Sequence, residues 1–147
     1  MFKLPADERL VRWRLFRKNL DKNSLADAIT ETANFWAHCP YSPYYLDISK
    51  PESWPDPWTL IGENWYCDIA KALGMVYTIK YTKHNPSVEL RIYHDPVTKY
   101  DYNLAWIEDG KYVLNMQDEL VVNKTQINQE LLLKKSFKEA DLKLDNY

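Results

Sequence analysis

The sequence predicts an α+β protein whose helices come before an antiparallel sheet. Apolar residues recur at helical spacing over residues 6–37 and at alternate positions between residues 75 and 116. The chain has 147 residues, 46% hydrophobic and 27% charged, close to the values of one globular domain. We therefore expect a single folded domain over residues 1–147. No apolar run approaches the roughly 20 residues that cross a bilayer, so no membrane partner is expected.

The first part, residues 1–39, is predicted to be a helical hairpin. A helix over residues 6–21 follows Pro5 and carries an apolar stripe that includes Trp13. Ser24 is a typical N-cap for a second helix, which must stop before Pro40. Because about three residues join the two helices, they are expected to pack antiparallel.

Residues 40–57 are predicted to form an extended strap. They hold five of the eight prolines together with several aromatic residues. The prolines prevent a helix, and the aromatic side chains can pack the segment against the protein surface. Asp56 and Pro57 then mark the start of a core helix, with Asp as N-cap and Pro in the first turn. Gly74 fits the position just past its end.

Residues 56–116 are predicted to combine this core helix with a four-stranded, mostly antiparallel sheet packed on it. Period-two patterns begin at Met75 and end at Met116, and the pair Asp109–Gly110 is typical of a two-residue hairpin turn. Residues 117–147 are predicted to form a C-terminal helix that begins near Thr125 and carries Phe137 in a narrow apolar stripe.

Composition excludes several kinds of function. The net charge of −2 argues against a globally basic nucleic-acid binder, and three glycines provide no phosphate-binding loop. Two cysteines cannot form a disulfide framework, so a reducing compartment is expected. The histidines and cysteines show no metal-ligand spacing, and we expect neither metal nor cofactor.

Charge and aromatic residues suggest surfaces for protein contacts. Residues 1–23 carry an excess of basic side chains and residues 24–75 an excess of acidic ones, which can set the register of neighbouring subunits. The candidate interface residues lie on the strap, the first helix and the last helix. They are Tyr41, Tyr44, Tyr45, Trp54, Arg9, Arg12, Arg17 and Phe137.

Residues 56–116 also resemble a known family. The run Asp56-Pro57-Trp58, followed by Ile69-Ala70-Lys71-Ala72-Leu73-Gly74-Met75, resembles the core helix and first strand of transglutaminase-like, papain-related domains. The run from Ala105 to Asn115, with its Asp-Gly-Lys-Tyr turn, looks like the hairpin of that family.

The resemblance implies a cysteine at the start of the core helix, a histidine at the start of the hairpin strand and an aspartate on the next strand. In this chain Pro57 and Trp58 stand at the predicted helix start, residues 100–103 contain no histidine, and Asn115 takes the place of the aspartate. The catalytic positions of the family are therefore expected to be lost, which predicts a protein that is not an enzyme.

The general style of the chain is similar to that of small structural proteins of tailed bacteriophages. The leading prediction is a non-enzymatic virion component of a tail, baseplate or neck. Such a protein would be made in the host cytoplasm and would contact other structural proteins of the same assembly or further copies of itself.

Two alternatives stay open. If the core helix restarts at Asn64, Cys67 lies in its first turn and could be the nucleophile of a transglutaminase- or papain-like cysteine enzyme. His94 would then be the base, and Asp101 or Asp109 would orient it. The third possibility is a small adaptor that binds a host protein or, less expected from the charge, nucleic acid.

Overall fold

The computed structural model describes residues 1–43 and 46–144 and has an α+β fold, as the sequence predicts. The helices are Ala6–Leu20 (α1), Leu25–Trp36 (α2), Pro57–Glu63 (α3) and Asp68–Lys80 (α4). The strands are Val88–His94 (β1), Asp101–Ile107 (β2), Tyr112–Leu114 (β3), Val121–Val122 (β4) and Leu132–Lys138 (β5). They form one antiparallel sheet in the order β4-β3-β2-β1-β5, and α4 packs on its β1 and β2 strands. No helix within the described ranges has the length and apolar character needed to cross a membrane.

The helical hairpin and the two predicted helix caps are confirmed. Ser24 caps α2, where its side chain accepts a hydrogen bond from the Asp27 amide at 3.2 Å. Asp56 caps α3 in the same way, accepting from the Thr59 amide at 2.8 Å. These positions could be predicted because a capping side chain satisfies its own local backbone whatever the rest of the fold does.

The predicted core helix is divided into α3 and α4. Asn64 adopts a left-handed conformation (φ 61°) and ends α3, and the chain then runs extended before α4 begins at Asp68. Asparagine tolerates this conformation better than most residues, which explains the break at this position. As a result, Cys67 is the N-cap residue of a new helix and does not lie in the middle of a long one.

The prediction that a strand begins at Met75 is wrong, because α4 continues through Gly74 to Lys80. Every residue from 72 to 79 is buried, so the apolar residues extend around the whole helix and show no helical period. Gly74 is not a terminator. It lies in the helix interior with the indole of Trp36 packed directly over it.

The prediction of a C-terminal helix is also wrong. Residues 132–138 form β5, an edge strand that pairs antiparallel with β1 and raises the strand count to five. Most side chains of β5 are exposed, so it lacks the alternation that reveals a half-buried strand. The β2–β3 hairpin is present, but Ile107 pairs with Tyr112, so its loop has four residues instead of two.

Several predicted interface residues are buried inside the protein. Trp54 is only 1% exposed, its ring lies 4.7 Å from that of Phe137, and its indole N–H donates to the Asp47 carbonyl at 2.8 Å. Phe137 is also buried, at 6% exposure. These two aromatic residues fasten the strap to β5 and are not available to a partner. Tyr41 is exposed, whereas Tyr44 and Tyr45 lie outside the described residues.

Two of the three arginines predicted to form a basic interface are buried as well. The Arg9 guanidinium donates to the carbonyl oxygens of Leu4, Ile61 and Gly62, and so ties α1 to the end of α3. The Arg17 guanidinium lies over the Trp13 ring, 4.2 Å from its centroid. Helical spacing could not reveal this burial, because the acceptors for Arg9 come from distant backbone. Arg12 remains exposed.

Glu89 holds β5 against β1. Its carboxylate accepts hydrogen bonds from Arg91 at 2.6 Å, Ser136 at 2.8 Å and Lys138 at 3.1 Å. Burial alone would raise the pKa of Glu89, but these three donors outweigh burial and lower the pKa from 4.5 to about 2. The ionised carboxylate therefore contributes to the stability of the sheet.

We expect Glu89→Gln to lower the free energy of unfolding by about 1 kcal/mol at pH 7. Because the folded-state pKa is depressed, the contribution is full above pH 4.5 and is lost as the pH falls towards 2. Urea unfolding at pH 7, 4 and 2.5 measures this, with the exposed Glu130→Gln as control. A stability difference that persists unchanged at pH 2.5 would contradict the prediction.

Candidate active site

Cys67 lies at the N-terminus of α4, where it is the N-cap residue. Its carbonyl accepts the first hydrogen bond of the helix, from the Lys71 amide at 2.9 Å, and no side chain caps the helix at this end. The unsatisfied amides of a helix N-terminus carry a partial positive charge, which stabilises a thiolate there. The alternative from the sequence has the helix restart at Asn64 with Cys67 in its first turn. In the structure α3 ends at Asn64 and α4 begins at Asp68, so Cys67 is the residue just before the first turn.

A cavity of about 180 Å³ adjoins Cys67. Its walls include the other cysteine, Cys39, and the ion pair between Lys71 and Asp118. Tyr41 and Tyr66 line it too, and they hold the end of α2 beside α4 through a parallel bridge. Cys67 itself is only 8% exposed, so a small group reaches its thiol most directly through this opening.

The two cysteines differ in their electrostatic surroundings. Burial raises the pKa of the Cys39 thiol to about 11, and nearby carboxylates add to that effect while Lys71 opposes it. Cys39 is therefore a thiol, not a thiolate, at neutral pH and reacts slowly. Cys39 could not be assigned to this cavity from sequence, because 28 positions separate it from Cys67 and only the fold brings them together.

Asp68, the first residue of α4, is held by two amide side chains of the sheet. Its carboxylate accepts from Asn103 Nδ2 at 2.8 Å and from Asn115 Nδ2 at 3.3 Å. Asn115 also donates to the Asn103 carbonyl at 2.9 Å. These two asparagines occupy the positions where the family resemblance implies histidine and aspartate, and here they fix the N-terminus of α4 against β2 and β3.

The imidazole of His94 pairs with Asp101. His94 Nδ1 lies 2.7 Å from Asp101 Oδ1, and Lys134 donates to the other carboxylate oxygen at 2.8 Å. Burial raises the pKa of Asp101, but the hydrogen bonds to Lys134 and His94 together have a larger effect in the opposite direction. The pKa of Asp101 therefore lies below its usual value. Asp101, and not Asp109, is therefore the residue that orients His94. Asp109 lies at the opposite end of β2.

His94 and Cys67 lie at the same end of α4. His94 pairs with Asp101, two residues along β2 from Asn103, and Asn103 contacts Asp68. Residues two apart on a strand face the same side and are separated by about 7 Å, which places His94 on the same side of the sheet as Asn103, near the strand position where Asn103 meets Asp68. No hydrogen bond in the described part of the chain joins the Cys67 thiol to His94.

The other histidines do not contribute to this site. His84 Nε2 contacts the Leu20 carbonyl at 3.1 Å, at the opposite end of α4, and His38 does not line the cavity. At this end of α4 the structure places a thiol at the helix N-terminus beside a small cavity, and an imidazole paired with Asp101 that does not itself line the cavity. Such groups can support nucleophilic chemistry at a carbonyl carbon.

No model of a known protein family matches the chain, and no curated protein matches it by sequence. Solved structures do match. LapG of Legionella pneumophila superposes with a TM-score of 0.71 at 12% identity, covering 91% of this chain and 76% of that one. Its calcium-bound form gives 0.72 at 10% identity, covering 93% and 78%, and its EGTA-treated form gives 0.70 at 12%, covering 90% and 74%. The fold is transglutaminase-like.

This similarity corrects the leading prediction from the sequence. LapG is a transglutaminase-like cysteine protease, so the expectation of a non-enzymatic tailed-phage virion component is wrong, and so is the expectation that the chain is not an enzyme. The physical cause of the error is the break at Asn64. The prediction assumed one helix starting at Pro57, which placed Cys67 in the middle of that helix, far from its N-terminus. A cysteine in the middle of a helix is usually an inert core residue.

One of the LapG structures is a calcium-bound form. Across residues 1–43 and 46–144, no group of three or more His, Cys, Asp or Glu side chains is arranged to hold a metal ion.

Proposed function

We propose that the protein is a cysteine enzyme of the transglutaminase and papain type that acts on carboxamides of peptides or proteins, with Cys67 as nucleophile. The observation that carries the proposal is the position of Cys67 at the uncapped N-terminus of α4. The fold shared with LapG, a cysteine protease, supports it.

In the proposed reaction the Cys67 thiol gives up its proton to the imidazole of His94, and the sulfur attacks the amide carbon, forming a carbon–sulfur bond. The carbon–nitrogen bond then breaks, and the amine leaves with a proton supplied by the imidazole of His94. The thioester is cleaved by water or by a second amine. Asp101 serves as the positioning residue that holds His94 by its Nδ1 and leaves Nε2 to carry the proton.

In this proposal, proton transfer between Cys67 and His94 runs through a water molecule or through the substrate amine, because no hydrogen bond among the described residues joins the thiol to the imidazole. In this proposal Asn103 and Asn115 are positioning residues: by fixing Asp68 they keep the first turn of α4, and with it Cys67, at a constant distance from the sheet.

Labelling with iodoacetamide tests the proposal, because the chain has two cysteines and each can be examined alone. At pH 7, Cys39→Ser, which retains Cys67, should be alkylated at least about ten times faster than Cys67→Ser, which retains Cys39. His94→Gln should slow turnover of a fluorogenic peptide amide by about 100-fold or more in the Cys39→Ser background.

Unfolding in guanidinium is the control, since both single-cysteine variants should then react at the same rate. Equal or slower labelling of Cys67 in the folded protein would overturn the proposal. So would peptide-amide turnover by the Cys39→Ser variant that is unaffected by a further Cys67→Ser substitution.

A further inference from the structure

A second cavity, of about 580 Å³, lies at the other end of α4. One wall is a face of α1, and the opposite wall holds Trp58 from α3 and Tyr81 from the end of α4, whose rings stack with centroids 5.8 Å apart. Since α4 rises about 1.5 Å per residue, Tyr81 lies roughly 20 Å from Cys67. This groove is thus separate from the candidate active site. Its lining residues are Leu10, Val11, Arg14, Arg17, Lys18, Asp21, Trp58 and Tyr81.

The floor and one rim of the groove are apolar. Val11 is 59% exposed at the groove, and Leu10 beside it is partly buried. Trp58 is half-buried and offers part of its ring to the opening. Exposed apolar residues next to an aromatic wall are typical of a surface that another chain covers.

The other rim is basic. Arg14 and Lys18 are exposed, and within the described residues neither forms an ion pair or a side-chain hydrogen bond. Arg17, stacked on Trp13, adds a third positive charge below them. The acid at the groove, Asp21, already accepts from the Lys83 amide at 2.7 Å. The groove therefore presents net positive charge beside apolar surface.

From this charge pattern we propose that the groove between α1, Trp58 and Tyr81 binds an acidic peptide segment of a partner protein that carries an apolar anchor residue. The anchor would cover Val11 and Trp58, and carboxylates would pair with Arg14 and Lys18. The groove runs along α1 from Leu10 to Asp21, about 16 Å, which suits a short segment. Nucleic acid fits less well, because it carries a phosphate at every nucleotide, whereas the groove places only a few basic side chains beside exposed apolar surface such as Val11.

Fluorescence anisotropy with defined probes tests this. A fluorescein-labelled decapeptide of glutamates around a central Leu-Phe pair should bind, and the same peptide with lysines in place of glutamates, or serines in place of Leu-Phe, should not. Arg14→Glu combined with Lys18→Glu should weaken binding at least tenfold. Arg12→Glu combined with Lys22→Glu is the matched control, because these exposed basic residues of the same region lie outside the groove.

Three outcomes would overturn the inference. One is no binding at millimolar peptide, and another is equal weakening by the two charge-reversal pairs. The third is a different occupant of the groove, seen either as tighter binding of a single-stranded oligonucleotide than of the glutamate peptide or as groove-dependent self-association in size-exclusion chromatography. Iodoacetamide labelling of Cys67 should be the same in both charge-reversal variants, so this test and the test of the active site succeed or fail separately.

Discussion

Replacing Gly74 with alanine should destabilise the protein by about 2 kcal/mol, although alanine is the better helix former. A Cβ at this position would meet the Trp36 ring, with Cζ2 and Cζ3 each 2.6 Å away. The intrinsic preference for alanine in a helix interior is worth about 1 kcal/mol in the opposite direction. The steric term dominates, because the contact is far inside van der Waals distance.

Trp36 cannot move aside at low cost. Its side chain is fully buried, its ring packs against Phe2 and Tyr66 with centroids 5.4 and 5.2 Å away, and its N–H is hydrogen-bonded to Thr78. A shift that relieved the new methyl group would disturb all three contacts. Dense packing transmits such a change to its neighbours instead of absorbing it.

Urea unfolding of Gly74→Ala measures the effect, and Gly62→Ala is the matched control. Gly62 lies in α3, and a Cβ added there would meet no neighbouring group within 4 Å. Alanine at position 62 should therefore leave stability unchanged or raise it by about 0.5–1 kcal/mol. If both substitutions stabilise the protein, the ring of Trp36 does not pack directly over Gly74.

Replacing Thr78 with valine should lower the free energy of unfolding by about 2–4 kcal/mol. The Thr78 hydroxyl accepts from the indole N–H of Trp13 at 3.0 Å and of Trp36 at 2.9 Å, and it donates to the Gly74 carbonyl at 2.7 Å. All of these groups are buried. Valine preserves the shape but leaves two indole N–H groups without an acceptor, and each such group costs about 1–3 kcal/mol.

Thr32→Val separates this effect from the loss of a hydroxyl as such. Thr32 is equally buried in α2, and its hydroxyl donates to the Ala28 carbonyl, which the helix already bonds. We expect it to cost less than about 1 kcal/mol. Thr78→Ser, which keeps the oxygen, should recover most of the loss. A Thr78→Val variant no less stable than Thr32→Val would exclude the shared acceptor as a source of stability.

Local signals in the sequence determined the parts of the fold that could be predicted. The caps at Ser24 and Asp56 depend on neighbouring backbone, and the stripe on α1 needs only one buried face. The interior of α4 gave no such signal, because it is covered on all sides and Gly74 resembles a terminator. β5 escaped detection for the opposite reason: an exposed edge strand rich in lysine has no buried face to mark it.

The candidate site was predictable only in part. Its cysteine, imidazole and orienting carboxylate were recognisable as a possible set, and the Asp101–His94 contact agrees with that set. Asp68 was not recognisable as the acceptor that joins Asn103 and Asn115, because amide side chains occur everywhere and carry no spacing signature. The set becomes meaningful only if the helix is interrupted near Asn64, because otherwise Cys67 lies in the middle of a helix. That interruption depends on the left-handed conformation of one residue, Asn64.

The position of β5 has a consequence for how the protein is assembled on the ribosome. Strands β1 to β4 follow one another as a meander, but β1 has its second neighbour in a strand made last, and the Glu89–Ser136 bond spans 47 positions. Until that strand emerges, β1 has unpaired backbone groups along one side and Trp54 lacks Phe137. The nascent chain therefore exposes this unpaired edge of β1 from the time β1 is made until residues 132–138 emerge, and closing it is a late, non-local event.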